Sequence, residues 1–374
     1  MNGCTLMADD AVYRALQQHL DSMPVGFPAT SSGVEMRILK RLFSPEEARI
    51  AVHLPFAPKG SESLDSIVAR LSGFGLARTQ LEQLLDGMVS KGLLNFRRDG
   101  KVKYYSGAQW MIGIYEYQVN KLSPELFFDI VQFSLEAFGP EVYSTRIPQL
   151  RTIPIEQSFT PEHLVANYDH VRRLVNASEG PFVVANCVCR QAQDLLGNAC
   201  RTTSRRETCL GFGDFARLYI DEGWGREVSR EELLVIIEQN EADGLILQPS
   251  NTEELEFICS CCGCCCALLL GSKMSRKPVQ YHASNYYAQV IPELCTGCGS
   301  CVEKCQMDAI QLDAEKSTIN LDRCIGCGVC IVQCPSAAIT LVQKEEDCSP
   351  PKTLEELYDA ISKKKREITS KKFE

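Results

Sequence analysis

The 374-residue sequence is short of histidine, with 5, and of tryptophan, with 2. The histidines are scattered, so they suggest no metal or catalytic site. Positive charge is also in deficit. Against 48 aspartates and glutamates stand 39 lysines and arginines, a formal net charge of -9. That excludes a chain built as a whole to coat nucleic acid. No apolar run approaches the roughly 18 residues of a membrane span. Residues 1–30 carry no basic segment followed by an apolar core, the mark of a secretory signal. There is no P-loop, no Gly-x-Ser-x-Gly elbow and no Cys-x-x-Cys-His motif. The expectation is a soluble, cytoplasmic protein with no membrane span.

The first half also lacks cysteine. Of 20 cysteines in the chain, Cys4 alone precedes residue 187. The rest crowd into clusters such as Cys261-Cys262 and Cys264-Cys265-Cys266, too close to pair into unstrained disulfides. Clustered thiols in a long chain read as metal sites. Thiolates and their metal clusters oxidise readily, which suggests an anaerobic or microaerobic setting. Cys4 and Cys348 stand alone and are expected to be spectators.

Five segments emerge. Residues 1–110 carry helical patterns over Val34–Phe43, Pro45–Leu54 and Ser63–Ser72, with Ser44 capping the second. A further helix is expected from a Thr79 cap, with Leu81, Leu84, Leu85, Met88 and Val89 as its apolar stripe and Gly92 at its end. Two strand-like runs, 93–98 and 101–105, then flank Asp99-Gly100, a hairpin signal. Helices followed by this basic hairpin resemble a winged helix-turn-helix domain. Residues 111–180 read as a helical connector. Within it, a helix is expected from Thr160-Pro161-Glu162, burying Leu164, Tyr168, Val171 and Val175, with His163 and His170 off the stripe. Residues 181–285 form a cysteine-rich α/β middle domain, with strands at Phe182–Val184 and Leu245–Leu247 and helices at Asp214–Glu222 and Arg230–Asn240. The Gly211-Phe212-Gly213 stretch mimics a dinucleotide loop, but no strand is expected before it, so it reads as a helix start. Residues 286–343 are an internal duplication, and 344–374 a charged helical tail. The fold class expected is α+β multidomain.

The duplication carries the strongest signal. Cys295-x2-Cys298-x2-Cys301-x3-Cys305 is repeated as Cys324-x2-Cys327-x2-Cys330-x3-Cys334-Pro335. This resembles the bacterial two-[4Fe–4S] ferredoxin pattern. Gly297, Gly299, Gly326 and Gly328 would let the backbone curl close to a cluster. The resemblance implies that the fourth cysteine of each run ligates the other run's cluster. One cluster would take Cys295, Cys298, Cys301 and Cys334, and the other Cys324, Cys327, Cys330 and Cys305. Gln306 departs from the pattern, standing where a proline is expected after Cys305.

Ten more thiols lie upstream: Cys187, Cys189, Cys200, Cys209, Cys259, Cys261, Cys262, Cys264, Cys265 and Cys266. They are candidate ligands of at least one additional iron–sulfur cluster, with a zinc site or free buried cysteines as alternatives. In an extended segment Cys187 and Cys189 would point the same way. Arg190, Arg201, Arg205 and Arg206 would stabilise thiolates. The Cys-Cys-Gly tripeptide at 261–263 resembles heterodisulfide-reductase cysteine domains, whose longer spacing is missing, so no catalytic chemistry carries over. The layout as a whole is similar to large cytoplasmic iron–sulfur proteins of anaerobes.

Three functions fit. The favoured one is an electron-transfer protein or subunit that exchanges single electrons with a redox partner. The alternatives are a redox-sensing winged-helix transcription regulator and a reductase with a catalytic middle-domain cluster. The expected recognition helix offers Glu82 and Asp86 against Lys91, so DNA is not the expected partner. Electron donor, electron acceptor and any substrate are not legible in the sequence.

Overall fold

The structure, a computed structural model, describes residues 3–56, 60–160, 165–313, 315–346 and 348–371. The chain forms two compact units, Met1–Thr145 with Tyr358–Glu374, and Arg146–Leu357. The connector expected over 111–180 is divided between them. Among the described residues no helix is long and apolar enough to cross a membrane.

The first unit is mainly helical. It contains α1 (Gly3–Asp21), α2 (Val34–Leu42), α3 (Pro45–Ala51), α4 (Leu64–Arg70), α5 (Arg78–Ser90), α6 (Pro124–Phe133) and α7 (Gly139–Ser144). Ser44 caps α3 in a full capping box with Glu47, as the sequence suggests. Strand β1 (Glu62–Ser63) and the hairpin β2 (Leu94–Asp99) and β3 (Val102–Gly107) make an antiparallel sheet in the order β1-β3-β2. Two local expectations shift. Helix α5 opens at Arg78, before Thr79, because the Ala77 N–H donates to Gln80 Oε1 at 2.9 Å and supplies the cap. The hairpin loop is Gly100-Lys101, since Asp99 pairs with Val102. Gly100 takes the left-handed φ of 58° that such a turn requires. Phe27, Trp110 and Phe133 pack together in the core.

The second unit is built on a sheet of β4 (Phe182–Asn186), β5 (Glu207–Phe212), β6 (Gly225–Val228), β7 (Ile246–Pro249) and β8 (Phe257–Cys261), in the order β6-β4-β5-β8-β7. Every pairing is antiparallel. The middle domain is therefore not the α/β type expected, although helices α8 (Val171–Ala177), α9 (Val188–Leu195), α10 (Gly213–Asp221) and α11 (Arg230–Ala242) intervene between strands or precede them. The sheet also corrects the reading of Gly211-Phe212-Gly213. A strand, β5, does lead into helix α10 there, but within an antiparallel sheet it forms no βαβ dinucleotide unit.

Period-two alternation sorts the strand residues. Val184, Leu210, Phe212 and Ile258 join Leu233, Ile236 and Ile237 of α11 in one core. Ser260 faces the same way and accepts a hydrogen bond from Asn240 of α11 at 2.8 Å. The intervening positions Cys209, Cys259 and Cys261 therefore lie on the opposite face. Phe215 of α10 packs on that same face, close to Val183 and Gly211.

After α12 (Ala267–Lys273) comes the duplicated segment. It has two antiparallel pairs, β9 (Tyr286–Val290) with β12 (Ile339–Gln343) and β10 (Ile310–Asp313) with β11 (Lys316–Ile319). Short helices α13 (Ser300–Lys304) and α14 (Val329–Val332) lie within the two cysteine runs and carry Cys301 and Cys330. The helix expected from Thr160 falls partly outside the described residues, as do His163 and Leu164. Within the described part, α8 starts at Val171, and Val171 and Val175 are buried. His170 lies beside Glu156 at 3.4 Å and stacks on Phe159. The tail is a helix, Leu354–Ser370.

Candidate metal centre

Three groups of thiols occupy the second unit. The duplicated segment builds the first by repeating one local device. Gly299 and Gly328, with φ of 77° and 76°, start α13 and α14. Gly297 and Gly326 approach neighbouring backbone closely. A Cβ on Gly326 would stand 2.2 Å from the Tyr286 carbonyl oxygen, and one on Gly297 would stand 2.4 Å from that of Glu315. Backbone N–H groups then point at sulfur in matched pairs. Ser317 N–H donates to Cys295 at 3.5 Å, and Ala288 N–H to Cys324 at 3.4 Å. Ala309 N–H donates to Cys305 at 3.2 Å, and Ala338 N–H to Cys334 at 3.3 Å. Such donors favour the charged, metal-binding form of sulfur.

The two halves differ in depth. Cys298 is exposed, and its thiol is held below the ordinary range by the Ser300 hydroxyl. Cys295 is likewise lowered, by the Ser317 backbone N–H. Cys327 is half-buried, and desolvation pushes its thiol up to about 12. Burial also raises Cys305 and Cys330. A cavity is lined by Cys305 together with Cys324, Cys327 and Cys330. The last cysteine of the first run thus sits with the first three of the second.

Residues 294–339 match the 4Fe-4S dicluster domain family. No curated protein matches the chain, and no solved structure does. A dicluster domain implies iron–sulfur clusters, and its glycine cradles and N–H···S donors fit such groups. Two glycine replacements separate space from strain. Gly326→Ala would push a methyl into the Tyr286 carbonyl, so the dicluster domain is expected to lose its iron and its protection from proteolysis. Gly299→Ala meets nothing within 4 Å. It should cost only the left-handed penalty of ~1–2 kcal/mol and keep its iron. Iron analysis with limited proteolysis of both full-length variants checks the contrast.

The second group is a closed ring. Cys187 is coupled electrostatically to Cys189 and Cys209, Cys209 to Cys259, and Cys259 to Cys261. Cys261 contacts Cys266, and Cys266 returns to Cys189. The scaffold explains the ring. Cys209, Cys259 and Cys261 share a sheet face, Cys187 directly follows β4, and Cys266 is the N-cap of α12. Cys187 and Cys189 meet, but not through an extended segment. Cys187 is the N-cap of α9 and Cys189 lies in that helix's first turn.

The third group is Cys200, Cys262, Cys264 and Cys265, whose sulfurs all lie within 4.8 Å of one another. Arg190, 1% exposed, lies between the second and third groups. Its guanidinium donates to the Ser260 carbonyl at 2.9 Å, the Thr208 hydroxyl at 2.6 Å and Cys262 Sγ at 3.6 Å. Burial opposes its charge, but Cys187, Cys262 and Cys209 hold it firmly protonated. The other arginines have different work. Arg205 pairs with Asp243 and Arg206 with Asp194. Cys348 is exposed. The side chain of Cys4 lies outside the described part.

Gln306 links two of the groups' scaffolds, a role its odd place in the sequence did not disclose. Its Oε1 accepts the Gly263 N–H at 2.8 Å, and its Nε2 donates to the Gly244 carbonyl at 3.2 Å. Proline could do neither. The outcome is one shared core in which Cys261 and Cys266 of the ring pack with Cys301, Cys324 and Cys330 of the dicluster domain.

Proposed function

We propose that this chain is an iron–sulfur electron-transfer protein or subunit. Cys295, Cys298, Cys301 and Cys334 would hold one [4Fe–4S] cluster, and Cys324, Cys327, Cys330 and Cys305 the other. The ring of Cys187, Cys189, Cys209, Cys259, Cys261 and Cys266 would hold a further iron–sulfur group. Bound there, such groups take up and release single electrons without bond chemistry on a substrate. The observation that carries the reading is the shared core of ring and dicluster thiols. It brings thiols of both groups together in one apolar core, which supports the reading. At the other end, exposed Cys298 leaves the dicluster domain open to a redox partner. Anaerobic reductive titration of the full chain, followed by electron paramagnetic resonance, tests it. Two dicluster signals plus a further signal are expected. A chain that takes up no electrons would refute the proposal.

The regulator reading has one observation in its favour. The order α3, β1, α4, α5, β2, β3 with sheet order β1-β3-β2 supports the winged-helix resemblance. The charges oppose DNA binding. Lys103 is paired with Glu82 and Asp86 of α5, Lys91 with Glu47, and Arg78 with Asp65. Arg97 lies over the Tyr104 ring at 4.0 Å. These pairings reduce the positive charge that α5 and the hairpin offer to phosphate. In a gel shift at physiological salt, no discrete site is expected, and Arg97→Ala should change nothing. A sequence-specific complex lost in Arg97→Ala would favour the regulator.

A further inference from the structure

The third thiol group has a different geometry from the other two, and we infer that Cys200, Cys262, Cys264 and Cys265 bind a single zinc ion and not an iron–sulfur cluster. The sulfur separations decide this. Cys200 lies 3.6 Å from Cys262 and 3.8 Å from Cys264. Cys264 lies 3.6 Å from both Cys262 and Cys265. Four sulfurs around one tetrahedral ion at ~2.3 Å stand about 3.8 Å apart. In a cubane each thiolate sits on a different iron corner, so the four are spread much wider, with inorganic sulfide between them. Among the described residues the dicluster thiols form no group so tight.

The surroundings fit a closed structural site. Cys262 and Cys265 are buried against Leu245, with Cys200 and Cys264 packed beside them. All four ligands come from the protein, leaving no open position for water or substrate. The Arg190 guanidinium lies 3.6 Å from Cys262 Sγ and the Thr202 hydroxyl 3.7 Å from Cys264 Sγ, as outer partners of a thiolate site do. Four thiolates on a divalent ion leave a net charge of two negatives, and buried Arg190 offsets part of it. The ion would join the loop after α9 to the loop after β8, fixing the segments that carry Cys189 and Cys266 of the ring.

The test is made on the full chain, purified anaerobically without added metal. Elemental analysis should find about one zinc per chain, and X-ray absorption at the zinc edge should show four sulfur ligands at ~2.3 Å. Cys200→Ser should lose most of the zinc. Cys264→His, which retains a zinc ligand, should keep it. The proposal is overturned by a wild-type chain without zinc, by a zinc edge with nitrogen or oxygen neighbours, or by a single iron in that place. It is also overturned if Cys264→His loses iron and sulfide in cluster proportions while its zinc is unchanged. The wild-type spectrum decides the matter even where a variant fails to fold. Because the readout is zinc, failure here leaves the electron-transfer reading untouched.

Discussion

Replacing Cys305 with serine should abolish the resonance of the buried dicluster site, although Cys305 belongs to the run that ends at the exposed one. Cys305 lines one cavity with Cys324, Cys327 and Cys330. Its sulfur receives the Ala309 N–H at 3.2 Å, which fixes the thiol's direction. Serine offers oxygen in place of a soft thiolate and is a poorer iron ligand. Burial compounds the loss, because a desolvated hydroxyl resists deprotonation more than a thiol does. Iron should fall by up to about four atoms per chain, one cubane. Cys334→Ser should do the mirror image and remove the signal sited by Cys295, Cys298 and Cys301. Paramagnetic resonance of the two variants, each with iron analysis, makes the comparison. If Cys305→Ser removes the exposed site instead, the crossed ligand assignment is wrong. If both variants retain full iron and both signals, neither residue is a ligand.

The dicluster domain was legible because its chemistry is local. Three thiols two residues apart, with glycines at the positions needing φ near 70°, specify a fold over a dozen residues. The ring was not legible, because it is a tertiary object. Cys187 and Cys209 come together only when β4 pairs with β5, and Cys259 joins them only when β5 pairs with β8. The sequence pairs Cys187 with Cys189 through an assumed extended segment, while the period-two spacing that does put two ring thiols on one sheet face is that of Cys259-Ser260-Cys261. Cys262, next in sequence, leaves the strand and joins the other group. The division of six adjacent cysteines between two sites therefore depends on where β8 ends, a boundary that sequence fixes poorly. Gln306 illustrates the same limit. Its spacing marks it as a departure, but its partners Gly263 and Gly244 lie 43 and 62 residues away.

In the ring, Cys261→Ser should remove the iron in excess of two cubanes and leave the dicluster signals in place. Wild-type chain is expected to carry more than the about eight irons of two [4Fe–4S] groups. The ring's six members are all cysteines, and soft thiolate sets select iron–sulfur groups, zinc or copper(I). Its thiols are spread around a circuit, unlike the tight tetrahedral group at Cys200, so the ring suits a polynuclear occupant. Cys261 is the informative member. It is buried, it contacts both Cys259 and Cys266, and it pairs through β8 with Ile246 of β7. Serine is nearly isosteric with cysteine, so the sheet should persist while two links of the circuit are lost. Iron should fall to about eight per chain, with zinc unchanged. Cys187→Ser, at the opposite side of the ring, should give the same result, because it also breaks two links. A wild-type chain with only about eight irons, or a ring variant that keeps all its iron, would show that the ring holds no iron–sulfur group.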